Sequence, residues 1–252
     1  MAGVNNAPDT RTRVTYGPHP DQFVDVSTPV GVPQDALRDL PVIALLHGGY
    51  WRDRFTLSLM ADLAASLTGH GFMVWNVEYR RVPPQGNPPG AWLDTVGDIV
   101  AAVETLCARY EVSSSAVTLI GHSAGGQLAL LTAPQTRPRG VVALAPVTDM
   151  VVAAAEGHGE GAVLDFIGVP LSRGVAEYRA ATPTDHLPLG CRQFVVHGDA
   201  DDRVPLLLTR QYMSVARAAG DDVTAHIEPA GDHFFVLDPG QPFWRDVLAW
   251  IR

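Results

Sequence analysis

Unbroken apolar stretches alternate along this chain with stretches in which apolar residues recur every three or four positions. Val42–Leu46 is a continuous apolar run and residues 72–77 are another apolar run, both short enough for strands, as expected of strands buried on both faces. Residues 116–120, 141–144, 193–197 and Val223–Glu228 are read as further strands. Between them, residues 57–67, 94–110, 124–132, 205–219 and 243–251 carry helical spacing. In 94–110, Val96, Ile99, Val100, Val103 and Leu106 share one side. Gly69 and Gly71 stop the first of these helices. Strands alternating with helices require crossover connections, so the pattern predicts an α/β fold: a mainly parallel central sheet with helices on both faces. Ahead of this rhythm lie a frayed polar tail over residues 1–11, a strand near residues 13–16 and another around Phe23, Val24 and Val26, before Pro29, Gly31 and Pro33 break the chain.

Residues 147–190 interrupt the alternation. They hold three glycines within 157–161 and predict short helices over Ala162–Ile167 and residues 173–180. This segment is read as a short cap inserted within a single domain spanning 1–252. The proline-rich tract 83–89 is a rigid loop and not a boundary, and no internal repeat is visible.

Composition narrows the picture in a few places. At 252 residues, 46% hydrophobic and 18% charged, the chain can bury about 70–75% of its unfolded surface and needs no disulfide. The net charge of −9 argues against nucleic acid, which demands clustered Lys and Arg. Cys107 and Cys191 lack metal-ligand spacing and are read as reduced packing residues. Met1 to Arg13 has no apolar core of a signal peptide, and no apolar run approaches membrane-spanning length. The expectation is a cytoplasmic protein whose partner is a small molecule and, at most, a second copy of itself in a homodimer, with no nucleic acid and no membrane.

Chemistry concentrates at three loops, each following a strand. Gly121-His122-Ser123-Ala124-Gly125 sits between an apolar strand and an Ala/Leu-rich helix. A serine held on such a sharp turn needs near-zero side chains two residues before and after it, and Gly121 and Gly125 supply them. The helix behind aims its N-terminal N–H groups at the serine. His47-Gly48-Gly49-Tyr50-Trp51 follows the Val42–Leu46 strand. Its glycines let main-chain N–H groups approach a developing oxyanion, so the oxyanion hole is assigned to the N–H groups of Gly49, Tyr50 and Ala124. His47, at a strand end, is read as structural. The third loop, His197-Gly198-Asp199-Ala200-Asp201-Asp202-Arg203-Val204-Pro205, offers three acids. Asp201 has the spacing expected of the acid that orients a histidine, with Asp202 and Asp199 as alternatives and a helix-capping role open to Asp202. The base must follow the acid. His226 falls inside a strand and is read as a surface residue, whereas His233 lies on the Gly231-Asp232-His233-Phe234-Phe235 loop, which can carry an imidazole to Ser123. His19, His70, His122, His158 and His186 form no ligand-like group, so no metal is expected. Tyr50, Trp51 and Phe234 flank these loops and are candidates for lining a substrate pocket; Phe235, beside Phe234, is a weaker one.

The order Ser123, Asp201, His233 with these motifs resembles the α/β-hydrolase superfamily. Within it, HGGYW at residues 47–51 and NVEYR at residues 76–80 look like the carboxylesterase, hormone-sensitive-lipase and kynurenine-formamidase branches, and the Tyr-Trp pair leans toward the formamidases. The resemblance spans from about Tyr16 onward. It implies a serine hydrolase that cleaves a small carboxylic ester or amide through an acyl-enzyme and uses no cofactor. Alternatives are an arylformamidase acting on N-formylkynurenine-like substrates, a prolyl-oligopeptidase-like small-peptide hydrolase, and a non-catalytic binding module on a hydrolase fold. The short cap weakens any long-chain lipid reading.

Overall fold

The computed structural model describes residues 10–252. Eight strands form one sheet: β1 (Thr10–Thr15), β2 (Phe23–Thr28), β3 (Val42–Leu46), β4 (Met73–Val77), β5 (Val117–His122), β6 (Gly140–Leu144), β7 (Arg192–Gly198) and β8 (Val223–Glu228). Their spatial order is β1-β2-β4-β3-β5-β6-β7-β8. Pairing is parallel from β4 through β3 to β8. Only the β1–β2 hairpin, joined to β4 through β2, runs antiparallel. Helices α1 (Ala61–Gly69), α2 (Trp92–Tyr110), α3 (Ala124–Thr136), α7 (Leu206–Ala218) and α8 (Trp244–Ile251) cover the sheet. The short helices α4 (Met150–Ala155), α5 (Ala162–Ile167) and α6 (Val175–Ala180) occupy the interval between β6 and β7. This is the α/β-hydrolase fold.

Period-two alternation in the buried strands explains the two layers. Val42, Ala44 and Leu46 of β3 join a core cluster with Ile99 and Leu106 of α2 and Leu128 of α3. Ile43 and Leu45 point the other way and pack with Leu63 and Leu67 of α1 and Val247 and Ile251 of α8. No side chain of β3 meets water, which is why its sequence has no polar position. No helix among the described residues is long and apolar enough to cross a membrane.

The elements depart from the sequence reading at several ends. Thr10 and Arg11, expected in the tail, extend β1, where they pair with Thr28 and Ser27; the cross-strand Arg13–Asp25 ion pair at 2.8 Å anchors this hairpin. Residues 1–9 lie outside the described residues. The helix expected from residue 57 begins as a 3-10 turn, Leu57–Met60, capped by Thr56, and becomes α-helical only at Ala61. In α2 the inner row includes Ala102, while Val100 is half-buried. Helix α4 was not expected, because MVVAAA shows no polar period; Asp149 caps it by accepting from the Val152 N–H at 2.9 Å.

One packing constraint positions the site. The start of α3 lies flush against the end of β3, and a methyl on Gly125 would stand 2.1 Å from the Leu46 carbonyl oxygen. Gly125→Ala is therefore expected to cost about 1–3 kcal/mol or more through forced backbone displacement. Gly97→Ala, on the exposed side of α2 with no atom within 4 Å, should stabilise by about 0.5–1 kcal/mol. Thermal unfolding tests the contrast, at roughly 2–4 °C per kcal/mol for a chain of this size; equal melting temperatures for Gly125→Ala and wild type would sink the close-contact account.

Candidate active site

The carboxyl ends of β3, β5, β7 and β8 bring the three sequence motifs together. Ser123 sits between β5 and α3 at φ 55°, ψ −117°, a conformation that costs a non-glycine residue on the order of 1–3 kcal/mol. Three backbone hydrogen bonds hold it there. Its N–H donates to the Leu144 carbonyl at 2.8 Å, and its own carbonyl accepts from Gln127 and Val147 at 3.1 and 3.4 Å.

Asp201 and His233 meet across 2.7 Å, from His233 Nδ1 to Asp201 Oδ2. The Asp201 carboxylate has no exposed side-chain surface. Its Oδ1 accepts from the N–H groups of Arg203 and Val204 at 2.8 and 2.9 Å. His197 Nε2 approaches Oδ2 at 3.1 Å. Burial alone would raise this carboxyl's pKa, but hydrogen bonds from His197 and His233, the charge of His233 and the Val204 N–H outweigh it. The net direction is down, so Asp201 is an anion at neutral pH. With its Nδ1 engaged, His233 has no hydrogen-bond partner on Nε2 among the described residues. Its neighbour Asp232 accepts from the Phe234 and Phe235 N–H groups at 2.9 and 2.8 Å, a local turn that aims the loop.

His122 links the serine turn to the histidine loop. Its Nε2–H donates to the His233 carbonyl at 3.1 Å, and the two rings lie 4.8 Å apart. Burial, reinforced by His233 nearby, pushes its pKa down to about 3, so His122 is neutral.

The loop after β3 turns through three consecutive left-handed residues, Gly49, Tyr50 and Trp51, at φ 111°, 58° and 57°. Two non-glycine residues in that region mark a strained segment. It is pinned by Val82 N–H to the Trp51 carbonyl at 2.7 Å and Asp53 N–H to the Val82 carbonyl at 3.0 Å. The N–H groups of Gly49 and Tyr50 donate to nothing within the described residues, and Ala124 opens α3, where first-turn N–H groups lack internal partners.

Other expected residues fall elsewhere. Asp202 is exposed and pairs with Arg203 at 3.3 Å, and the following helix starts at Pro205 with no side-chain cap, so Asp202 does not cap it. Asp199 instead accepts from the Ala230 N–H at 2.6 Å, tying the acid loop to the histidine loop. His226 is half-buried against Phe243 and paired with Glu228 at 2.7 Å, so it is not a free surface residue. Trp51 is buried, stacked on Phe166 at 4.6 Å, and its Nε1–H donates to Gln127. Phe234 is 55% exposed and edge-on to His233 at 5.2 Å.

A cavity of about 20 Å³ lies behind the loop that follows β3, lined by Tyr50, Trp51, Val147, Val163, Val204 and Leu208 among others. That is room for roughly one water-sized group. Val147 and Val204 are each one backbone hydrogen bond from Ser123 and Asp201, so the cavity abuts the site. Across its rim, Arg203 reaches the Tyr50 hydroxyl at 3.5 Å. Among the described residues no cluster of His, Cys, Asp or Glu has the geometry to hold a metal ion.

Sequence reasoning missed Glu78, which is 2% exposed and 2.8 Å from His47. It also missed the roles of His197 and His122. The only signal was position: each sits in or beside a motif at a strand end, but polarity alone does not tell a buried partner from a solvated one.

Solved structures share this architecture over nearly the whole chain. A truncated carbohydrate esterase from gut microbiota aligns with TM-score 0.77 and 19% identity, over 97% of each chain. The native esterase Est2 of the Planctomycetes species Thermogutta terrifontis aligns with TM-score 0.73 and 20% identity, over 95% of this chain and 89% of that one. A bifunctional GH43-CE protein of Bacteroides eggerthii aligns with TM-score 0.79 and 18% identity; this chain spans 35% of its length. Identities this low speak for the fold. No curated protein matches the chain in sequence. The prolyl oligopeptidase family does match, over residues 93–252, a stretch that carries Ser123, Asp201 and His233; the chain belongs to the prolyl oligopeptidase family and with it to the serine hydrolases of the α/β-hydrolase fold.

Proposed function

We propose that this protein hydrolyses small carboxylic esters or amides through an acyl-enzyme on Ser123. The observation that carries the reading is the buried, ionised Asp201 at 2.7 Å from His233 Nδ1, on a loop tied through His122 to the strained Ser123 turn. A lone surface histidine would have no reason to be so fixed. His233 Nε2 takes the Ser123 proton as Oγ attacks the carbonyl carbon. Asp201 keeps the proton on Nδ1 and stabilises the imidazolium. The N–H groups of Gly49, Tyr50 and Ala124 receive the oxyanion, and the imidazolium returns its proton to the leaving group. Water, activated by His233, then releases the acid.

The cavity supports a small acyl group. At about 20 Å³ it takes no more than the hydrogen of a formyl or the methyl of an acetyl group, so a formamide substrate fits the same geometry as an acetyl ester. Est2 of Thermogutta terrifontis has been captured with propionate and with butyrate, small acids of the kind this reading expects. Membership of the prolyl oligopeptidase family keeps short peptides within the panel of amides to be tested. The expected setting is the cytoplasm, with no cofactor.

Ser123→Ala should lose about 10⁴-fold or more in kcat with the fold intact, because triad members act as a unit. Asp201→Asn should lose about 10³–10⁴-fold by favouring the wrong tautomer of His233, and Asp202→Asn far less. A fluorophosphonate probe that fails to label wild-type Ser123, or the reverse ranking of the two aspartates, would overturn the assignment.

Among p-nitrophenyl esters, kcat/KM should fall steadily from acetyl to decanoyl, with N-formylkynurenine run beside them. Leu208→Ala, at the cavity wall, should move the preference to longer chains, since each newly buried methylene contributes about 0.8 kcal/mol. Trp51→Ala is a poorer test, because losing a buried tryptophan stacked on Phe166 costs about 3–5 kcal/mol of stability. Rates rising from acetyl to decanoyl in the wild type would refute the small-pocket reading.

A further inference from the structure

A second carboxylate–histidine pair lies beneath the oxyanion loop. His47 and Glu78 are 1% and 2% exposed, with Nε2 and Oε1 2.8 Å apart. The other ring nitrogen of His47, Nδ1, is 2.7 Å from the Gly48 carbonyl oxygen. A carbonyl oxygen only accepts, and an ionised carboxylate only accepts. Both contacts are hydrogen bonds only if both ring nitrogens carry protons.

The surroundings favour an ionised Glu78. Burial by itself would raise its pKa, but the hydrogen bond and charge of His47, the Leu57 N–H and the charge of Arg81 bring it below the ordinary glutamate range. Arg81, 5% exposed, is 3.4 Å from Glu78 and 2.8 Å from Asp21. The row Asp21, Arg81, Glu78, His47 thus alternates in sign and sums to zero when His47 is a cation. Tyr79 stacks on the His47 ring at 4.4 Å and donates its hydroxyl to the His47 carbonyl at 2.6 Å. The remaining titratable neighbour, His122, is neutral.

Glu78 also spans the loop. Its Oε1 holds His47 at the loop's start, and its Oε2 accepts from the Leu57 N–H at 3.0 Å at the loop's end. Arg81 adds hydrogen bonds to the carbonyls of Asp53 and Phe55. Between these anchors lie the strained residues Gly49, Tyr50 and Trp51. Gly48 abuts the nucleophile turn so closely that a methyl on it would stand 3.1 Å from the Ser123 Cβ.

We propose that His47 is a buried imidazolium clamped between Glu78 and the Gly48 carbonyl, and that through this clamp Glu78 acts as a positioning residue for the oxyanion loop. The protonation half stands on the Nδ1 contact to the Gly48 carbonyl and on a Glu78 carboxylate faced by the Leu57 N–H and Arg81. The positioning half rests on the hydrolase reading. Displacing oxyanion donors by a fraction of an ångström leaves substrate binding nearly intact and weakens the transition state, so the effect belongs in kcat.

Two measurements test the proposal, one on each half. In ¹⁵N-histidine-labelled protein, wild type and Ser123→Ala alike, the imidazole that contacts the Tyr79 ring should show two protonated, slowly exchanging ring nitrogens at pH 7. A single protonated nitrogen there would overturn the imidazolium. Glu78→Gln should lose about tenfold to a hundredfold in kcat, with KM changed less than about threefold and fluorophosphonate labelling of Ser123 slowed in proportion. Unchanged kcat, or a loss confined to KM, would overturn the positioning role. Should Glu78→Gln fail to fold, Glu78→Asp, which keeps the charge but shortens the reach, takes its place with the same split expected. A wild-type protein that no fluorophosphonate labels would defeat the hydrolase reading while leaving the nitrogen result to decide the protonation of His47.

Discussion

The contact between the start of α3 and the end of β3 is the constraint on which the site depends. Gly125 lies so near the Leu46 carbonyl that no side chain fits. Because β3 and β5 are adjacent in the sheet, this contact puts the Ser123 turn beside the loop that leaves β3. The same closeness forces Ser123 to φ 55°, since the chain must reverse from strand to helix within one residue. The strain is on the order of 1–3 kcal/mol. It is offset by complete burial of β5 and almost all of α3, at roughly 1.5–3 kcal/mol for each large apolar side chain. A fold with less apolar surface behind the turn could not hold the serine in that conformation.

Two buried carboxylate–histidine pairs flank that turn and differ in one respect. Asp201 holds His233 by Nδ1 only, and Glu78 holds His47 by Nε2 while the Gly48 carbonyl takes Nδ1. An imidazole with one free nitrogen can exchange a proton with a substrate, whereas one with both engaged can only stay fixed. The two histidines therefore cannot trade roles, although both lean on an anion. Each anion is kept charged inside the protein by several donors, including two backbone N–H groups for Asp201 and two for Glu78, which is the general condition for a buried carboxylate to remain ionised.

Much of this was legible in the sequence, because the strands that carry the site are uniformly apolar and end in glycine-marked loops. Val42–Leu46, Ala162–Ile167 and Val223–Glu228 coincide with the observed elements, since each is bounded by a residue that cannot continue it. Helix α4 was illegible for the opposite reason: an all-apolar hexapeptide has no period. The Asp201–His233 pairing follows from chain order, but Glu78 could not be found that way. Its partner His47 is 31 residues away, just past the end of a strand that becomes its neighbour only once β4 pairs with β3. Trp51 was open to either reading, and the structure commits most of its ring to Phe166 and Gln127.

The family match begins at residue 93, and this division bears on substrate. Ser123, Asp201 and His233, the residues proposed to carry the chemistry, fall inside it. Gly49, Tyr50, Trp51 and Glu78 fall before it, as does one wall of the small cavity. The rest of the cavity lining, Val147, Val163, Val204 and Leu208 among it, falls inside the match, so selection draws on both parts of the chain. The chemistry, in the proposed reading, depends on the 2.7 Å hydrogen bond between Asp201 and His233, which tolerates almost no variation in length. Selection, in the same reading, depends on the volume left between the loop after β3, the segment between β6 and β7, and the first turn of α7. A single methylene there changes binding by about 1–3 kcal/mol without disturbing the triad. Family membership therefore argues strongly for how a bond is cut and weakly for which bond it is, and the cavity behind Tyr50 is the feature of this chain that speaks to the second question.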